Sequence, residues 1–593
     1  MQRRNNKFFT GRYGKNYQTI RRSQIISTFG VGSIIDFPNE SLMLCNIEKW
    51  SNKGRKIYEP RLQRKLNVKY FMAPPSDSDD ECPEGIPAVL FPKWLFCKRC
   101  HRIRHIDKWT KLNERNRFSG VKYCDSCTGQ KLNPARFILI CPDGHIDDFD
   151  WEGWAHRNHG DCGKDKEITV TSTGYYSGLT GYMVKCKCGA KNSMAAAVHQ
   201  KFNCRGYKPW SSTIEGCEAE RAVVTHRGAG NVYFPNMVSS IDIPPFTDEN
   251  LKKIRETSFF EVISTASGNL EDANRDFLLK EISKSTGIKI EEVREKVELL
   301  ETEVKKQRDD IDYLFEEYMA FKGKVEKQHM ISSDFHVDPQ ENIKFGITEI
   351  SQISLIKRLR EIRVLTGFTR VIPNEEQYEF EDSDETAEPV SVNSDSSTEW
   401  KPGIEVRGEG IFIEISKKNI NEWLIKRDVS ERLRELQSRV RMNERNLAEY
   451  ILLHSVAHIL IRQLSFECGY SSSSLKEKIY CSSRAGQQMS GILIYTAEGD
   501  SDGTLGGLVR LGEKDSFQKI FKDALASARW CSSDPLCIEL TKQGFQSLNL
   551  AACHACLLLP ETCCETRNLL LDRALLLGTP DKKEIGFFSN YLN

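Results

Sequence analysis

Paired cysteines are the chemistry-bearing residues of this chain. Cys553-His554-Ala555-Cys556 is a CxxC hook, the tightest local grip a chain can place on a metal ion. A tetrahedral zinc site takes four thiolate or imidazole ligands, usually supplied as two such hooks or fragments of them. This hook is followed by Cys564 and preceded by Cys531 and Cys537, and either of the last two can close the site. Charging four thiols without a cation is unfavourable, so metal binding and local folding are expected to occur together. Phe96-Cys97-Lys98-Arg99-Cys100 and Tyr123-Cys124-Asp125-Ser126-Cys127 form a second pair of hooks, with a spacing close to that of a zinc ribbon. Such ribbons commonly replace a hydrophobic core that is too small, and they can also serve as nucleic-acid platforms. Cys186, Cys188, Cys204 and Cys217 form a looser set of four thiols that fits a second structural zinc in the same block.

Two further groups of residues leave alternatives open. Cys141, His145 and Cys162, with His156 or His159, can bind another ion; the run Asp147, Asp148 and Asp150 instead suggests a hard-metal site. The plainer reading is a Gly144-His145 turn with Trp151 and Trp154 as core anchors. His454 and His458 are four residues apart on an apolar helix and so share one face. With Glu498, Asp500 and Asp502 they can be read as a hydrolase or nuclease centre. No glutamate accompanies the first histidine as in H-E-x-x-H, and two histidines on a buried helix more often hold neighbouring loops by hydrogen bonds.

The twenty cysteines are clustered: eleven lie from Cys82 to Cys217, six from Cys531 to Cys564, and none from residue 218 to 467. Disulfide cysteines have no reason to occur as hooks, whereas metal ligands do. With 84 Lys and Arg against 83 Asp and Glu, the net charge of +1 is no global signal for nucleic acid, so any such contact must be local. A local candidate is the basic start of the chain, Arg3, Arg4, Lys7, Arg12, Arg21 and Arg22, either a solvated arm or one that touches phosphates. No apolar run is long enough to cross a bilayer and no secretory leader is visible, so a cytoplasmic protein with no membrane partner is the default expectation. Walker, Rossmann, helicase and methyltransferase loops are all missing from the sequence, so ATP hydrolysis by this chain alone is not expected.

These residues need elements to position them. The expected class is α+β and multidomain, with a zinc-ribbon-like N-terminal half, a helical middle insert and a mixed α/β C-terminal domain carrying a four-cysteine zinc site. The expected division is a basic β segment over 1–90, a cysteine-rich domain over 91–245, a helical region over 246–373, an acidic mobile linker over 374–400 and the last domain over 401–593. Ile25–Phe37 reads as strand, glycine turn and strand. Residues 345–368 read as a helix-rich connection ending in strand-like TRVI. Ile404–Ser416 reads as two strands around Gly408-Glu409-Gly410, and Glu444–Leu464 as a buried helix. Residues 246–330 have apolar residues at helical spacing, with Ser285-Thr286-Gly287 between two helices, and suit a partner-facing arm or a helix pair packed on its own protein.

The stretch LNLAACHACLLLPETCCETRNLLLDRALLLGT, with WCSSDPLC and YTAEGDSDGTLGGLV before it, resembles the C-terminal four-cysteine domain that ends MrfA-type DNA-repair helicases. RRSQIISTFGVGSIIDFPN, ICPDGHIDDFDWEGWAH and RGAGNVYFPNMVSSIDIP extend the resemblance to the other end of the chain, where the pattern is similar to the DrmB family of the DISARM anti-phage system. That resemblance implies a non-catalytic subunit of a bacterial defence complex, a DrmA-like Snf2-type helicase as partner, and DNA reached through the complex. Counting the hooks gives two to three zinc ions per chain, which elemental analysis of the purified protein would read directly.

Overall fold

The computed structural model describes the chain from residue 5 to residue 591 apart from several stretches, the longest being 11–18, 76–85, 110–121, 374–387 and 497–505. Arg3, Arg4 and Arg12, the core of the acidic segment, and Glu498, Asp500 and Asp502 lie outside the described residues.

A long antiparallel sheet forms the centre. Its strands run in the spatial order Phe234–Ile241, Ile350–Thr369, Trp400–Ile415, Met489–Thr496 and Leu475–Ser482. Hence strands from both sides of residues 246 and 400 share one sheet, and Tyr70–Met72 adds in parallel to the start of the Trp400 strand. Both faces are covered. On one, Leu355, Ile411, Ile413, Ile479 and Ile492 pack against the helix Glu444–Cys468 through Ile451, Val456, Leu460 and Leu464. On the other, Ile356, Phe412, Tyr480 and Leu493 pack against Tyr318 and Phe321 of the helix Asp310–Phe321.

Three readings of the sequence are corrected here. Residues 350–369 form one strand rather than a helix-rich connection. The strand is buried on both faces, so the period-two alternation that marks a half-exposed strand is erased. Its charges also imitate the polar stripe of a helix, but in the fold they are paired: Arg360 donates to Asp242 and Glu405 at 2.8 Å each, and Arg363 to Glu361 at 2.7 Å. Trp400–Ile415 is likewise continuous. Gly408 and Gly410 make no turn; a Cβ at either would collide with the backbone carbonyl of Thr496 or Ile494 on the adjacent strand. In Ile25–Phe37 the first expected strand is a short helix, Arg22–Ser27, that buries Ile25 and Ile26, and the second is Ile34–Asp36.

The cysteine-rich region holds a six-stranded sheet, which includes Trp94–Cys97, Arg102–His105 and Tyr182–Cys186, and a four-stranded sheet built on Phe137–Ile140. The helical region ends at Phe321. Within it, Asp272–Thr286 and Ile290–Lys305 are separated at Gly287, whose φ of 72° ends the first helix. Ile254, Ile263, Leu279, Ile282, Val293 and Val297 give these helices a small core of their own.

Arg370, at the end of the longest strand, joins three of these parts. It is fully buried and lies 4.7 Å from the Phe368 ring centroid and 5.3 Å from that of Trp210. Its guanidinium donates to the carbonyls of Gly144 at 2.8 Å, Val232 at 2.5 Å and Gly32 at 2.6 Å. Burial with no carboxylate alongside pulls its pKa down to about 9. Hydrogen bonds to a charged group contribute about 1.5 kcal/mol or more each. Arg370→Met is therefore expected to lower the unfolding free energy by roughly 4 kcal/mol, read as an earlier transition in urea, with Arg370→Lys falling between the two.

Candidate metal centres

Five clusters of four metal-ligating side chains occur among the described residues, each with its ligand atoms within 4.8 Å of one another. Four of them are dominated by sulfur.

The first comprises Cys97, Cys100, Cys124 and Cys127. Cys97 ends the strand Trp94–Cys97, and the chain reverses into Arg102–His105 through His101, which adopts the left-handed conformation at φ 59° and donates its N–H to the Cys97 carbonyl at 2.9 Å. Cys100 Sγ lies 3.7 Å from Cys124 Sγ. The four residues expected as a ribbon site therefore converge.

The second expected set does not. Cys186 and Cys188 belong to one cluster, Cys204 and Cys217 to another. Cys204 and Cys217 flank a small hairpin in which Tyr207–Lys208 pairs with Thr213–Ile214, and they meet Cys141 and His145. Cys141 Sγ is 3.9 Å from Cys217 Sγ. The Cys141–His145 turn closes with Gly144 N–H donating to the Cys141 carbonyl at 2.9 Å, and the Gly144 carbonyl of that same turn is the one held by Arg370. Cys186 and Cys188 sit at the next hairpin tip and meet His156 and Cys162 instead. His156 Nε2 is 3.0 Å from Cys162 Sγ and 3.4 Å from Cys188 Sγ, while its Nδ1 faces the Glu152 carbonyl at 2.8 Å. That carbonyl fixes the proton on Nδ1 and leaves Nε2 free to ligate. The sequence reading joined Cys141, His145 and Cys162 around one ion; the structure places Cys162 in the other cluster.

The neighbouring acids have structural roles. Asp147 pairs with Arg205 at 2.6 Å, Asp148 accepts from the Lys93 and Trp94 backbone N–H groups at 3.0 and 3.2 Å, and Asp150 caps the helix Trp151–His156. No carboxylate of this run belongs to a cluster among the described residues.

The fourth cluster is Cys531, Cys537, Cys553 and Cys556. Helix Lys514–Ala528 delivers Cys531, and Cys537 lies in the short helix Leu536–Glu539. The Cys556 and Leu557 N–H groups both donate to the Cys553 carbonyl, at 3.1 and 3.0 Å. Cys531 and Cys553 are 3.4 Å apart, Cys537 and Cys556 3.7 Å, and Cys553 and Cys556 3.7 Å. Both upstream cysteines take part. Cys564 does not; it joins His454, His458 and Glu477.

The spacing and the donors fit zinc. Zn–S bonds of about 2.3 Å at the tetrahedral angle put ligand sulfurs ~3.8 Å apart, and the sulfur–sulfur separations within the clusters run from 3.4 to 3.9 Å. A disulfide needs about 2.05 Å, and every described cysteine is free. The thiols also behave as sites that want a cation. Cys141 is pushed up by its hydrogen bond to Cys204, and Cys204 is pulled down to about 4 by the same contact. Burial alone would raise Cys553, but hydrogen bonding to Cys531 and to the Ala555 N–H brings it down to about 7. One proton is thus shared between sulfurs that a divalent ion would satisfy together.

Residues 456–557, which contain all four ligands of the fourth cluster, match the family described as the MrfA Zn-binding domain. Residues 21–234, which contain the other three sulfur clusters, match a domain of unknown function (DUF8724). The site chemistry and the first of these matches define a zinc-binding protein. The DISARM protein DrmB of Bacillus paralicheniformis is 34% identical over 595 residues, covering 94% of this chain and 100% of that protein. The chain belongs to the DrmB family.

The geometry raises the expected count from two or three to four sulfur-rich sites. Cys141→Ser, Cys162→Ser and Cys553→Ser are each expected to remove one zinc ion and leave the others, as read by elemental analysis of the folded variants. Cys564→Ser is expected to leave the Cys531–Cys556 site loaded.

Proposed function

We propose that this chain is a non-catalytic, zinc-stiffened subunit of a DISARM defence complex, which pairs with a DrmA-like Snf2-type helicase and helps hold DNA for it. The observation that carries this reading is the likeness to DISARM protein DrmB along essentially the whole length of both chains. The zinc-ribbon reading of the first cluster is part of the proposal, and so is the assignment of each tetrad to one ion. The sulfur clusters fix hairpin tips that small sheets could not hold rigid, and rigid tips suit a surface that positions a ligand.

Charge at those tips supports the DNA reading. Lys98 and Arg99 stand exposed between the two ligands of the first hook, and Lys185, Lys187 and Lys191 are exposed around the Cys186–Cys188 tip. Of the basic N-terminal residues, Lys7 lies in the strand Asn5–Thr10, Arg21 is exposed at the end of the strand Thr19–Arg21, and Arg22 begins the next helix. Phosphate contacts made by such side chains release counterions and weaken with salt. The absence of a motor motif in the sequence leaves strand separation to the partner. No described helix is long and apolar enough to cross a membrane.

Lys98→Ala with Arg99→Ala is expected to weaken duplex binding and to reduce the slope of log affinity against log salt by about 2, with zinc content unchanged. A wild-type affinity that does not respond to salt would remove the DNA reading. Failure to co-purify with a DrmA-like helicase on co-expression would remove the partner reading. Cleavage of labelled DNA by the zinc-loaded chain alone, lost in His458→Ala, would replace both with a nuclease.

A further inference from the structure

The cluster of His454, His458, Glu477 and Cys564 is left unused by the reading above. All three of its polar ligands are completely buried, and Cys564 is buried with them. His454 and His458 project from one face of the helix Glu444–Cys468, with ring centroids 4.5 Å apart and planes at 89°. Glu477 comes from the edge strand Leu475–Ser482, and Cys564 from the loop that follows the fourth cluster.

Hydrogen bonding fixes which atoms face inward. His454 Nδ1 lies 3.2 Å from the Leu570 carbonyl and His458 Nδ1 lies 2.8 Å from the Leu557 carbonyl. A carbonyl can only accept, so each ring carries its proton on Nδ1 and turns a lone pair on Nε2 toward the cluster. Cys564 Sγ accepts from the Asn568 backbone N–H at 3.2 Å. Glu477 adds two oxygens. Four acceptors therefore point at one another in the apolar interior.

The Asn568 N–H and the Thr566 hydroxyl reach Cys564 Sγ, and the same hydroxyl lies 3.4 Å from His454 Nε2, but the other acceptors are left unsatisfied. His458 Nε2 and both carboxylate oxygens of Glu477 are buried without a hydrogen bond. Glu477 Oε1 lies 2.9 Å from His454 Nε2 and 3.3 Å from His458 Nε2, and His454 Nε2 lies 3.1 Å from Cys564 Sγ. An unpaired carboxylate in such a place is strongly disfavoured. Zinc bonds of about 2.0–2.2 Å to nitrogen and oxygen place such ligands ~3.3 Å apart, close to what is seen. A divalent ion with one carboxylate, one thiolate and two neutral imidazoles also has no net charge, the state that a buried site requires.

We propose that His454, His458, Glu477 and Cys564 bind a fifth zinc ion, in a closed structural site that ties the long helix to the edge strand and the C-terminal loop. All four positions are filled by protein, so no place is left for the water that a hydrolytic zinc keeps. The Zn-binding family match spans residues 456–557 and so includes neither His454 nor Cys564. This inference is independent of the DISARM reading.

Anomalous diffraction from crystals of the full-length wild-type protein, recorded on both sides of the zinc absorption edge, tests it. The expected result is a zinc peak within bonding distance of these four side chains, in addition to those in the sulfur clusters. Peaks in the sulfur clusters with none here would overturn the proposal and assign the cluster to protons shared between the imidazoles and Glu477. Native mass spectrometry gives a second readout: Cys564→Ser and Glu477→Gln are each expected to lose one zinc relative to wild type, and retention of the wild-type count in both folded variants would overturn it equally. Loss of the DNA or helicase interaction would leave this result untouched.

Discussion

Sulfurs held less than 4 Å apart repel one another once charged, and much of this protein's outer structure depends on that repulsion being cancelled. The first tetrad closes a hairpin tip whose own apolar contacts are few, whereas Cys531, Cys537 and Cys556 of the fourth are buried in the main core. Around the first cluster the buried apolar residues amount to Leu95, Trp109 and Leu132 beside the cysteines themselves. A packing core of that size does not hold a fold against chain entropy. A zinc ion with four ligands does so because its binding free energy becomes folding free energy. The first sulfur cluster thus acts where the hydrophobic effect is weakest.

The central sheet is stabilised in the opposite way. Its strands are covered on both faces, it carries buried ion pairs, and the helix Glu444–Cys468 is apolar almost all round. The two regimes meet at Arg370. A guanidinium with no carboxylate partner is an unfavourable thing to bury, yet this one is the shared donor for the N-terminal glycine turn, the segment before Phe234 and the Cys141–His145 turn. The position of a metal knuckle is therefore set by the end of a core strand, which gives the cysteine-rich region a fixed base.

The basic residues at the Cys97–Cys100 and Cys186–Cys188 tips are displayed on loops whose backbone is pinned by ligands and turn hydrogen bonds. His454 and His458, the residues that invite a hydrolytic reading, are sealed in the core beside Glu477. Their proposed role is that of a metal-mediated staple between elements. Membership of the DrmB family ties these surfaces to a relative that is a DISARM protein.

Legibility in the sequence followed the range of the interaction. CxxC hooks are local: Cys97 with Cys100, Cys124 with Cys127 and Cys553 with Cys556 announce themselves because a ligand pair three residues apart needs only one turn of backbone. The helix Glu444–Cys468 and the break at Gly287 are equally local, set by apolar periodicity and by a residue that tolerates positive φ. The sequence alone thus determined that the chain binds metal through its cysteines, and roughly where. Which half-sites combine was decided by tertiary structure. Cys204 and Cys217 meet Cys141 and His145, not Cys186 and Cys188, because strand pairing carries the two hairpin tips to different places. Histidine ligands at His145 and His156 were visible as candidates but could not be apportioned. Cys564 looked like part of the nearest hook, yet the fold turns it toward a helix more than a hundred residues earlier, where Glu477 waits on an edge strand. The long strand Ile350–Thr369 was hidden for a related reason: burial on both faces removes the alternation by which a strand is read, and only the sheet around it supplies the partners for its charges.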